Sequence, residues 1–143
     1  LDNYYKFVHI LDKLMSENIN KKFFKGKVNL EDEIKRNDGK IIIQHKNTIR
    51  LLEEWLKKVV RIQKVEDFDI IFKPFKKVRK LRQKPAHAIS KNIYDKSYLK
   101  MQDDLIHQCY TSIRIIRLLF ANHPAVKGYK VPDWLYEGKI KIF

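Results

Sequence analysis

In the run Val78-Arg79-Lys80-Leu81-Arg82-Gln83-Lys84-Pro85-Ala86-His87-Ala88-Ile89, four residues separate Arg82 from His87. A guanidinium stays charged at any physiological pH and grips a phosphate through a planar fork of donors, whereas an imidazole takes up and returns a proton near neutrality. Together they could cleave a phosphodiester without a metal or cofactor. The histidine would move the proton of a 2′-hydroxyl or of the leaving group, while the arginine holds the phosphate and its developing charge. Only RNA offers that internal nucleophile. A second pair, Arg117 and His123, has five intervening residues but falls at the fraying end of the last helix, so Arg82 and His87 are preferred.

The surroundings of this pair are strongly positive. Seven of the twelve residues from Lys73 to Lys84 are basic (Lys73, Lys76, Lys77, Arg79, Lys80, Arg82, Lys84) and none is acidic. Phosphates release condensed counterions when Lys and Arg approach them, so an unbalanced patch of this kind points to a polyanionic partner, with RNA the first to test. The whole chain repeats the bias: 31 Lys and Arg against 17 Asp and Glu give a net charge of +14 over 143 residues. The competing expectation for Lys73, Lys76, Lys77, Arg79, Lys80 and Lys84 is a solvated helix face.

The elements that position these residues are mainly helical. Tyr4, Phe7, Val8, Leu11, Leu14 and Met15 recur at steps of three and four and predict an amphipathic helix over 2–18. Lys21 to Gln44 is polar, with Asn37-Asp38-Gly39 ahead of Ile41-Ile42-Ile43, which predicts a short hairpin or an extended excursion. Asn47 and Thr48 can cap a second helix whose apolar set is Ile49, Leu52, Leu56 and Val59, widened by Leu51, Trp55, Val60 and Ile62. A third runs from about Asp69, carries Ile71, Phe72, Phe75, Val78 and Leu81 on one face, and breaks at Pro85. A fourth, 96–122, aligns Leu99, Ile106, Cys109, Ile113, Ile116 and Phe120 before Pro124. Pro132, Trp134 and Tyr136 then predict an aromatic strap, and Lys139-Ile140-Lys141-Ile142-Phe143 a short strand. The fold expected is a four-helix bundle with a small β accessory, one domain over 1–143.

With its basic helix, its Arg-x4-His motif and the long helix that follows, the chain resembles the HEPN superfamily of small four-helix bundles. The resemblance implies a metal-independent endoribonuclease, commonly a homodimer in which two motifs meet in a composite site, and a toxin or antiphage defence effector with an antitoxin or regulatory protein as partner. By position, Arg82 would bind the phosphate, His87 would transfer the proton, and Gln83 would occupy the polar position after the arginine. The tyrosine that many members carry soon after the histidine is replaced by Ala88 and Ile89. On an unbroken helix Arg82 and His87 would lie about 140° apart, so either a kink at Pro85 or a second subunit must bring an arginine and a histidine together. The alternative expectation is a non-catalytic RNA- or nucleotide-binding module that regulates a partner protein. A third is a helical interaction subunit whose charge is incidental.

Other chemistries find little support. One cysteine, Cys109, excludes a disulfide framework within the chain and reads as a small core residue. Asp103 and His107 stand four apart without a third metal ligand in view, Glu53-Glu54 and Glu31-Asp32-Glu33 read as surface charge, and Gly26, Gly39, Gly128 and Gly138 form no phosphate loop. No apolar run reaches membrane-spanning length, so a cytoplasmic location is expected. The chain starts at Leu1 without a methionine, so a trimmed chain or one cut from a longer protein is expected.

Overall fold

The computed structural model describes residues 2–61, 66–83 and 96–137. It is mainly helical, with four long helices and one two-stranded antiparallel sheet. Helix α1 (Asp2–Ser16) is followed by a 3₁₀ turn at Lys21–Phe24, the strands β1 (Glu31–Lys35) and β2 (Ile41–His45), α2 (Thr48–Val59), α3 (Glu66–Gln83) and α4 (Lys96–Ala121). A second 3₁₀ turn at Pro124–Val126 and the single-turn α5 (Asp133–Tyr136) complete the described chain.

Local chemistry explains most boundaries. Asn47 caps α2, its side-chain oxygen accepting the Arg50 amide at 2.9 Å. The hairpin closes through Arg36 N–H to Lys40 O at 2.8 Å, with the Asp38 carboxylate accepting the Lys40 amide and Gly39 supplying a positive φ of 80°. Its register pairs Glu31 with His45 and Ile34 with Ile42. The Arg50–Asp32 and Lys46–Glu54 pairs tie the sheet to α2.

Helix α3 is the hub: α1, α2 and α4 all pack on it. Its buried side chains Phe68, Ile71, Phe72, Phe75 and Val78 meet Tyr4, Val8 and Met15 of α1, Leu51, Leu52 and Leu56 of α2, and Leu105 and Cys109 of α4 in one core, with Phe24 of the first 3₁₀ turn beneath. Pro74 sits inside α3 and has no amide to donate to the Ile70 carbonyl. The buried Ser112 hydroxyl of α4 lies 3.4 Å from that carbonyl while donating to Gln108 O at 2.9 Å.

Four expectations need correction. On α1, Leu14 is exposed and the buried position beside Val8 and Met15 is taken by Asp12; on α2, Val59 is exposed. On α4 the buried line is Leu105, Cys109 and Ser112, whereas Leu99 is 65% exposed and Ile106, Ile113 and Phe120 also face solvent. The heptad-spaced apolar stripe is real, but α4 leans chiefly on α3, so the helix turns a neighbouring arc inward. Trp134, expected in a strap, is 61% exposed. The predicted strand at 139–143 and the Ile62 position lie outside the described residues.

Candidate functional site

Arg82 is an exposed residue in the last turn of α3 that reaches the edge of the core through Asp12. Phe68, Phe75 and Arg82 follow one another at seven-residue intervals, two helical turns apart, so Arg82 continues a line of buried rings instead of joining the outer cations. Its Nη1 donates to Asp12 Oδ2 at 2.5 Å. The two side chains differ in burial: 43% of Arg82 remains exposed against 1% of Asp12. Asp12 Oδ1 is buried and has no hydrogen-bond partner among the described residues. Asp12 was missed in the sequence, although an acid four residues after Val8 and three before Met15 interrupts the inward stripe of α1 and is the signal to look for.

Gln83, next to Arg82, is exposed at the end of α3. His87 and Lys84 lie outside the described residues. The alternative pair is separated by its local roles: Arg117 belongs to α4, and His123 caps the 3₁₀ turn with Nδ1 accepting the Ala125 amide at 3.1 Å.

The remaining cations divide around α3. Lys73 Nζ pairs with Asp69 at 3.0 Å and Lys76 Nζ with Glu53 of α2 at 2.7 Å. Lys77 turns to the other flank and donates to Gln108 Oε1 of α4 at 3.3 Å. Arg79, half-buried, and Lys80, exposed, have no side-chain partner among the described residues. The patch is therefore partly compensated, by Asp69 one turn before Lys73 on α3 and by Glu53 across the α2–α3 contact.

Glu53 is more than surface charge. Its side chain is 12% exposed and bridges Lys57, at 2.8 Å, and Lys76. Burial pushes its carboxyl up, but the hydrogen bonds and charges of Lys57 and Lys76 outweigh this and hold it below its usual range. On the opposite flank, burial raises the Cys109 thiol to about 11 against the pull of Lys77. A thiol in that state is a packing group and not a nucleophile.

Two depressions flank α3. One, of about 240 Å³, lies between α2 and α3 and is lined by Asn47, Ile49, Arg50, Glu53, Lys76 and Arg79. The other, of about 600 Å³, lies between α3 and α4 and brings Ile70 and Lys73 opposite His107 and Thr111. Among the described residues no three His, Cys, Asp or Glu side chains are grouped to hold a metal ion. No described helix is long and apolar enough to cross a membrane.

Comparison with protein-family models, with curated proteins and with solved structures finds no match to this chain.

Proposed function

We propose that the protein is a metal-independent endoribonuclease of HEPN type, a four-helix bundle in which Arg82 and His87 carry the chemistry. The observation that supports this reading most is the half-in, half-out setting of Arg82. A buried carboxylate fixes one edge of its guanidinium, and 43% of the side chain stays open to a ligand. Anchoring removes rotamer freedom before a phosphate arrives, so binding orders less of the side chain. The remaining donors of the fork suit a phosphodiester oxygen.

The reaction begins when His87 accepts the proton of a ribose 2′-hydroxyl. The 2′-oxygen then bonds to the adjacent phosphorus, Arg82 stabilises the charge gathering on the phosphoryl oxygens, and the bond from phosphorus to the 5′-oxygen breaks. A protonated imidazole returns a proton to the departing 5′-oxygen, leaving a 2′,3′-cyclic phosphate and a 5′-hydroxyl. In a homodimer the donor imidazole can come from the second copy. A cytoplasmic toxin or antiphage effector held in check by an antitoxin is the setting such an activity fits. The test is RNA cutting in EDTA by wild type, His87→Ala and Arg82→Lys, with cutting expected only in the wild type; cutting that persists in His87→Ala contradicts the assignment.

The Asp12–Arg82 pair also favours a second reading, a non-catalytic RNA-binding module, because an arginine with a structural counter-ion needs no catalytic role to explain it. In that case RNA is retained at low salt by wild type and His87→Ala alike, with no cutting in either.

A further inference from the structure

We propose that the cleft between α2 and α3 is a phosphate-binding site in which Arg79 and Lys76 are the donors and Arg50 adds charge. Its occupant is a backbone phosphate of the same nucleotide chain that reaches Arg82; that assignment rests on the ribonuclease reading, whereas the anion site does not.

The cleft is small and one-sided in charge. Three cations and a single acid, Glu53, line its 240 Å³, which is about eight times a water's share of roughly 30 Å³ and leaves room for a phosphate and part of its sugar. Ile49, buried in the core, gives it an apolar floor. The end of α2 does not supply the attraction, since the Asn47 side chain already takes the Arg50 amide.

Arg79 carries the argument. It is a partly buried side chain lining the cleft, with no hydrogen-bond or ion-pair partner among the described residues. Withdrawing a charge from water without a counter-ion is unfavourable, and a phosphate meets the planar fork with paired acceptors. Lys76 reaches Glu53 yet stays 56% exposed, so it can face an anion as well. Arg50 is already engaged by Asp32 and Glu54 and contributes field more than donors. Glu53 marks where an anionic oxygen is welcome and competes for Lys76. Along α3, Arg79 precedes Arg82 by three residues, about 4.5 Å of rise, so the two guanidinia can hold separate phosphates of one strand.

Binding of a short single-stranded RNA to the whole chain, measured against NaCl concentration, tests the proposal. Arg79→Gln is expected to weaken binding about tenfold at low salt and to lower the salt slope by about 0.7, the value of one lost single-strand contact. Lys77→Gln removes the same charge from the same helix on the α4 flank and is expected to change binding less than about twofold. Glu53→Gln, which frees Lys76, is expected to tighten binding. Equal losses in Arg79→Gln and Lys77→Gln, or no loss in Arg79→Gln, overturn the site. Competition by inorganic phosphate together with a shift of the Arg79 Nε–H resonance assigns the cleft to a free phosphate; RNA binding that inorganic phosphate leaves untouched assigns it to the chain. Because binding alone is read, failure of the wild type to cut RNA removes the ribonuclease reading and leaves this result standing.

Discussion

Arg82 and Asp12 meet at 2.5 Å although 70 residues of sequence separate them, and the carboxylate is buried while the guanidinium is not. One contact thus joins the first helix of the fold to the arginine of the candidate chemistry. Removing Arg82 leaves Asp12 as an uncompensated buried charge, which costs several kcal/mol, whereas exchanging both partners for neutral residues costs far less. We expect Arg82→Ala to lose about 3 kcal/mol in urea unfolding and Asp12→Asn/Arg82→Gln to lose clearly less than the sum of the single variants. Additive losses would show that the pair does not couple.

Glu53 makes part of the stability dependent on acid. Its folded pKa lies below the unfolded one, so its contribution is complete above the unfolded carboxylate range, near 4.5, and is lost as pH falls through the lower folded value. The stability difference between wild type and Glu53→Gln, followed by denaturant titration, is expected to shrink as the pH is lowered from 5 through that range. A constant difference would contradict the link through Lys57 and Lys76.

Ser112 stands beside the carbonyl that Pro74 leaves without a helical donor. Ser112→Ala is expected to cost about 1 kcal/mol, because the hydroxyl's bond to Gln108 O and its approach to Ile70 O are both lost. In a Pro74→Ala background the same change is expected to cost less, since the alanine amide can bond Ile70 O within α3. A thermodynamic cycle of the four proteins checks this.

Cys109 is 2% exposed, and burial raises its thiol to about 11. Alkylation of the native protein at pH 8 is expected to be slow and to accelerate on unfolding, so the rate reports opening of the α3–α4 contact. Fast native labelling would place this thiol outside the core.

Much of the architecture was legible because it is encoded locally. The Asn47 cap, the Asn37-Asp38-Gly39 turn and the three- and four-residue apolar steps of α1 and α3 each act within a few residues, and the observed elements follow them closely. What escaped is relational. Leu99, Ile106 and Ile113 form a stripe that pattern alone places inward together with Cys109, and only the packing of α4 against α3 decides that Cys109 is buried beside Leu105 while those three face out. The basic run of α3 holds no acid, yet Glu53, twenty-three residues before Lys76, supplies one across the α2–α3 contact. Arg82 stands out by its motif, but its buried partner Asp12 lies 70 residues away on α1, beyond the reach of any local pattern.

The central claim is that Arg82 and His87 cut RNA without a metal. The most direct measurement is RNA cutting by purified protein in EDTA, comparing wild type with His87→Ala, which leaves the Asp12–Arg82 pair untouched. The account predicts products ending in a 2′,3′-cyclic phosphate from the wild type and none from His87→Ala, with both proteins folded by their thermal melts. Equal cutting by the two proteins, or intact RNA with wild type under conditions where it binds, would contradict it.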